Sequence, residues 1–176
     1  MRVSWSRTKP ILHIQGSRHG LANMKKEETV DYHIKAAWHG ISRMYNQGGA
    51  DNGITASIGF VLLNIDKYEG SPATKIAPAL GMEARSLTRL LKSMEEAGMI
   101  TRDQDPDDRR SVRIRLTDLG IQKRVFAKKA VILFNESVRR HITDQDLDSF
   151  FKVMRSIDQV IDTNKNFETK LLTENE

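Results

Sequence analysis

Cysteine is absent from all 176 residues. That excludes structural disulfides, thiolate zinc sites, iron–sulfur clusters, a cysteine nucleophile and a thiol redox switch. Long apolar runs are absent too: the stretches present are a few residues each, against the ~18–20 that a membrane-spanning helix needs. No nucleophile–base pair, glycine-rich phosphate loop or metal-spaced ligand set is visible, so the chain reads as neither an enzyme nor a cofactor or metal carrier. Acidic residues are missing from one segment only. Residues 1–26 hold Arg2, Arg7, Lys9, Arg18, Lys25 and Lys26 and no Asp or Glu, whereas the other 150 carry 22 basic and 23 acidic groups. The overall surplus, 28 basic against 23 acidic residues, therefore belongs to the N-terminal segment. It points to a polyanionic partner without locating the contact.

Within the near-neutral remainder, charge is polarised. Residues 109–129 contain Arg109, Arg110, Arg113, Arg115, Lys123, Arg124, Lys128 and Lys129 against Asp118 alone. The segment Glu136–Glu176 has six basic and nine acidic groups. Residues 1–23 lack both apolar periodicity and the continuous apolar core of a signal peptide. They read as a basic extension without a fold of its own, with Met24 as a natural start; the alternative is an arm lying against nucleic acid.

From Glu27 to about Gln47, Val30, Ile34, Ala37, Ile41 and Met44 recur at steps of four and three, one face of an amphipathic helix. Gly48, Gly49 and Gly53 end it. Thr55 is placed to cap a second helix with the stripe Ile58, Val61, Leu62 and Ile65. Ser71-Pro72 reads as the start of a short third helix carrying Ile76, Ala77 and Leu80. Gly81 permits a turn into a fourth, Glu83 to Ala97, whose stripe is Leu87, Leu90, Leu91 and Met94, with Gly98 as its left-handed terminator. Residues 99–103 and 112–116 alternate as short strands. Thr117-Asp118 opens a helix to about His141, in which Phe126 and Phe134 read as interior. Thr143 caps a last one bearing Leu147, Phe150, Phe151, Met154, Ile157 and Ile161.

Two short helices joined by a glycine turn, followed by a hairpin, make a winged helix-turn-helix, and the second helix is dimensioned for a DNA major groove. Its outer face presents Arg85, Ser86 and Arg89. Arginine can pair bidentately with guanine, and serine with a base or a phosphate. In an isolated helix such residues would only solvate a surface; in this tandem they are DNA contacts. At the hairpin tip Arg109 and Arg110 project as minor-groove readers or phosphate clamps. Asp108 is placed to pair with Arg110 and hold its guanidinium, the alternative being an ordinary surface ion pair of small value. Lys75 and Arg113 are weaker phosphate candidates.

The stretch Asp-Pro-x-Asp-x-Arg followed by Leu-Thr-x-x-Gly, here Asp105 to Gly120, resembles the MarR (multiple antibiotic resistance regulator) family of bacterial transcription factors. So does the helix ending Met94-Glu95-Glu96-Ala97-Gly98-Met99-Ile100. The resemblance covers residues ~27–163. It implies a homodimer whose first and last helices interdigitate, recognition helices paired on a pseudopalindromic operator, and Asp108 with Arg110 as the wing pair. It also implies a small aromatic or anionic effector bound between the dimer helices and the DNA-binding lobe.

The expectation is a mainly α protein with a small β-hairpin wing, acting as a cytoplasmic, ligand-responsive repressor that binds double-stranded DNA. Its parts are a basic extension (1–23), one MarR-like domain (24–163) and a flexible tail (164–176). In that domain a winged helix at about 54–120 lies between dimerisation helices at about 27–47 and 121–163. The apolar face of the last helix calls for a partner surface, and self-association is the simplest. Trp38, Met44 and Tyr45 are dimer core or the wall of an effector pocket, with core slightly favoured. His33 and His39, six apart, share no helical face and lack a metal-ligating spacing; they read as structural, with lining of an effector pocket as the alternative. Asp144, Asp146 and Asp148 lack the glycine and glutamate of a calcium loop and suit a helix start. The rival reading is a winged helix that binds an acidic protein and no DNA.

Overall fold

The computed structural model describes residues 24–105 and 111–164. Six α-helices and three strands follow in the order α1 (Val30–Gly49), α2 (Ala56–Asn64), β1 (Ser71–Pro72), α3 (Ala73–Ala79), α4 (Ala84–Glu96), β2 (Ile100–Gln104), β3 (Val112–Leu116), α5 (Asp118–His141) and α6 (Asp144–Thr163). The chain divides after Ser42 into two compact units. The first holds the leading turns of α1, where Tyr32, Ile34 and Trp38 are exposed and the His33 Nε2 lies 2.6 Å from the Glu27 carbonyl.

The core of the second unit is the inner face of the helix-turn-helix closed by the sheet: Val61, Leu62 and Ile65 from α2 and its end, Ile76 and Ala77 from α3, Leu87, Leu91 and Met94 from α4, and Met99, Ile100 and Ile114 from the strand region. Helix ends fall where side chains satisfy free amides. The Thr55 hydroxyl accepts from the Ile58 amide at 3.2 Å, and the Thr143 hydroxyl from the Asp146 amide at 3.2 Å. The Thr143 hydroxyl also donates to the Asp146 carboxylate at 2.7 Å, so this acid belongs to a helix cap. Gly98 ends α4 at φ 69°, and the Met99 amide reaches back to the Met94 carbonyl at 2.9 Å.

One element departs from the sequence reading. Ser71 and Pro72 form a third strand, antiparallel to β3 with Ser71 opposite Ile114 and Pro72 opposite Arg113, giving the order β1-β3-β2. Proline has no amide to donate, which confines it to a sheet edge. Two residues are too short to show alternation, so the same dipeptide reads equally well as a helix start. Pro72 is the residue before α3 but gives no side-chain cap, and the Ser71 hydroxyl instead accepts from the Asp66 amide at 2.9 Å.

The join between wing and α5 accounts for Leu-Thr-x-x-Gly. The Thr117 hydroxyl donates to the Gly98 carbonyl at 2.6 Å and accepts from the Gly120 amide at 3.1 Å. A β-carbon at Gly120 would sit 2.0 Å from the Met99 carbonyl oxygen, so only glycine lets α5 start this close to β2. The motif is a structural joint.

Candidate nucleic-acid interface

Helix α4 is sharply two-faced. Leu87, Leu91 and Met94 are buried, while Arg85, Ser86, Arg89 and Ser93 are exposed on the other side. Among the described residues, neither Arg85 nor Arg89 pairs with a carboxylate, so both guanidinium groups are available to a ligand. Lys75 is exposed on α3. Asp108, Arg109 and Arg110 lie outside the described residues.

Arg113 is placed differently from a phosphate contact. Its Nη2 lies 3.1 Å from the Asp105 carboxylate, and its Nη1 donates to the Glu69 carbonyl at 3.4 Å. The side chains are 12% and 3% exposed. Arg115 pairs with Asp103 at 3.6 Å, and Arg102 of β2 with Glu95 of α4 at 2.9 Å, fastening the wing strand to the recognition helix. Asp103 stands opposite Arg113 in the register, so the pairs Asp103–Arg115 and Asp105–Arg113 run diagonally across the ribbon. The arginines that alternate with Val112, Ile114 and Leu116 are thus used within the protein.

The α5 cations behave likewise. Lys123 Nζ donates to the Asn52 carbonyl at 2.6 Å, and Arg124 donates to the carbonyls of Leu62 and Leu63 at the end of α2 at 3.2 and 3.1 Å. Arg124 thereby closes carbonyls at the end of α2 that would otherwise lack donors. Arg124 also acts on Asp66. The backbone amides of Glu69 and then Tyr68 hold the Asp66 carboxyl below its ordinary range, with Arg124 adding to the effect.

Beside this lobe, α5 and the last turns of α1 enclose a groove of about 510 Å³. Met44, Tyr45, Phe126, Leu133 and Phe134 supply apolar walls, and Lys129 the cation. Burial pushes the Tyr45 phenol above its ordinary pKa. Phe126 and Phe134 are therefore half-buried groove walls rather than interior residues. Tyr45 packs edge-to-face on Phe60 and on Phe134 with ring centroids 6.0 Å apart in each case. Trp38, in the first unit, is half exposed.

A three-stranded wing set on a helix-turn-helix whose second helix displays unpaired arginines defines a winged helix-turn-helix protein. The model of the MarR family matches residues 54–112, which run from α2 into β3. TtmR, an HTH-type transcriptional regulator of Methylorubrum extorquens (strain PA1), is 36% identical over 87 residues, 49% of this chain and 45% of that protein. The organic hydroperoxide resistance transcriptional regulator of Bacillus subtilis (strain 168) is 31% identical over 98 residues, 56% of this chain and 67% of that one. The match to TtmR thus spans less than half of that relative's length. The repressor CouR, solved on a 23-mer DNA duplex, aligns with a TM-score of 0.65 and 26% identity, covering 78% of this chain and 99% of that one. CouR from Rhodococcus jostii RHA1 has also been solved with p-coumaroyl-CoA. The chain belongs to the MarR family, and the relatives named are transcriptional regulators. Among the described residues, no helix is long and apolar enough to cross a membrane.

Four roles escaped the sequence reading: Asp105 at the far end of the wing hairpin, Arg102 with Glu95, Lys123 with Arg124, and the α5 side of the groove. Only the first left a signal, an acid inside the family motif with no assigned task. The rest depend on which elements the fold brings together.

Proposed function

We propose that the protein is a homodimeric, sequence-specific repressor that reads a pseudopalindromic duplex through α4 and the wing and is released by a small aromatic or anionic effector. One observation carries the DNA reading: Arg85, Ser86 and Arg89 share the exposed face of α4 while the opposite face is locked in the core. Arg85 and Arg89 reach base edges, Ser86 a base or phosphate, and Lys75 the backbone. Arg109 and Arg110 contact the flanking groove, with Asp108 steadying Arg110. The DNA-bound relative CouR supports this reading.

Self-association is favoured by α6, where Phe150, Phe151, Val153, Val160 and Ile161 are all exposed. An apolar face of that extent needs a partner, and a second copy supplies the two-fold symmetry a palindromic site requires. The α5 groove has a volume within the range of small-molecule sites, and its aromatic walls with one lysine suit an aromatic anion. Met44 and Tyr45 line it, while Trp38 is left to the dimer core.

The test is a mobility shift of the full chain with a pool of randomised duplexes at low salt. A shift that sharpens on repeated selection is expected. No shift at low salt would favour the rival reading, a winged helix that binds protein only.

A further inference from the structure

Among the described residues Asp105 is the one buried charged or polar residue of the lobe, and it stands where β2 gives way to residues 106–110. Its amide donates to the Ser111 carbonyl at 3.0 Å, closing the two ends of that segment. Its carboxylate takes Arg113 from the facing strand, and the same guanidinium reaches the Glu69 carbonyl in the loop that leaves α2. One planar group therefore ties three chain segments: the end of β2, the start of β3 and the 66–70 loop. That loop is itself fixed, since the Asp66 carboxylate accepts the Tyr68 and Glu69 amides at 2.8 Å each.

Removing two charges from water is costly, and a buried pair is weak evidence for stability alone. What the arrangement supplies is direction. The pair sits at the far end of the β2–β3 hairpin, and the Arg113 contact with Glu69 ties that end to the 66–70 loop. We propose that Asp105 and Arg113 are positioning residues for DNA recognition, fixing the far end of the wing hairpin against the 66–70 loop, and that Arg113 is not a phosphate contact. This rests on the DNA-reading role proposed above.

Charge and geometry predict opposite signs at Asp105. A carboxylate near DNA repels phosphate, so neutralising it strengthens binding if charge alone counts. If position counts, the nearly isosteric Asp105→Asn weakens binding. Arg113→Lys separates the two roles in the same way. Lysine serves a phosphate nearly as well, but its single ammonium lacks the fork that spans a carboxylate and a carbonyl at once.

The experiment uses the full chain and a duplex enriched from a randomised pool by the wild-type protein, with an unselected duplex of equal length as reference. Asp105→Asn and Arg113→Lys are each expected to lose at least about 10-fold in affinity for the enriched duplex, about 1.4 kcal/mol. Affinity for the unselected duplex is expected to change much less. Asp105→Leu combined with Arg113→Met leaves no lone buried charge, so it keeps the fold if a single variant does not, and it shows the same loss. Circular dichroism and thermal melting establish that each protein tested is folded. Folded variants that bind the enriched duplex as tightly as wild type, or more tightly, overturn the positioning role and leave the DNA reading standing. A wild-type protein that enriches no duplex overturns both.

Discussion

Arg124 of α5 donates to the carbonyl of Leu63, 3.1 Å away at the end of α2. Eight basic residues cluster between Arg109 and Lys129, which in sequence looks like one DNA-facing block. In the fold the block comes apart. Arg113 and Arg115 pair with Asp105 and Asp103, Lys123 and Arg124 hold backbone carbonyls, Lys129 faces the groove, and Lys128 is exposed. The cations proposed above to meet a duplex lie elsewhere, on α4 and at Lys75.

Arg124→Met is expected to destabilise the lobe by about 1.5–3 kcal/mol, the worth of hydrogen bonds from a charged donor, while leaving the salt dependence of DNA binding unchanged. Urea unfolding and a salt titration check both. A slope of log K against log salt that falls by about 0.9 would instead mark Arg124 as a phosphate contact.

Gly120→Ala forces a β-carbon onto the Met99 carbonyl oxygen, a backbone atom that cannot step aside. A loss of about 1–3 kcal/mol is expected, as for overpacked sites, and thermal unfolding measures it. An unchanged melting temperature would mean that the α5 start can shift away from β2.

Phe150→Asp together with Ile161→Asp places two charges on the α6 face, where the native side chains are 54% and 64% exposed. The substitutions should leave the lobe folded and convert a dimer to a monomer, seen by sedimentation. Affinity for an enriched duplex should fall with it, since half of the phosphate contacts are lost. A dimer that survives both charges would place the interface elsewhere.

Asp66 gives the protein an acid-sensitive loop. Its folded pKa lies below the unfolded value, so its contribution is full above the ordinary carboxylate range and disappears as pH falls through the folded pKa. The melting temperature of wild type should exceed that of Asp66→Asn by a constant margin above pH ~5, and the margin should close in stronger acid. Tyr45 has the opposite shift in pH. Its phenol, raised by burial, stays neutral beyond pH ~10, so its stabilising effect is lost only as pH climbs through that raised value. Ultraviolet titration should show a late phenolate step that Tyr45→Phe removes.

Helix periodicity and capping were legible because each rests on local physics: Thr55, Thr117 and Thr143 mark helix starts in sequence and accept the expected amides. The exposed face of α4 was legible for the same reason, since the leucine spacing determines which side Arg85 and Arg89 occupy. Ser71-Pro72 was not, because its strand character comes from pairing with Ile114 and Arg113, more than 40 residues away. Nor was the fate of the arginines. Whether Arg113 meets phosphate or Asp105 depends on register across the ribbon, and Arg124 depends on α5 crossing the end of α2. Phe126 and Phe134 looked interior by composition, whereas the groove they line exists only where helix packing leaves a gap.

The central claim is two-fold reading of duplex DNA by α4 and the wing. Its most direct test is to select fragments of the source genome bound by the full chain and to read their common sequence. Inverted half-sites centred about 10–10.5 base pairs apart are expected, with binding weakened at least about 10-fold by Arg89→Ala or Arg110→Ala. Fragments without a repeated half-site, or bound equally by those two variants, would contradict it.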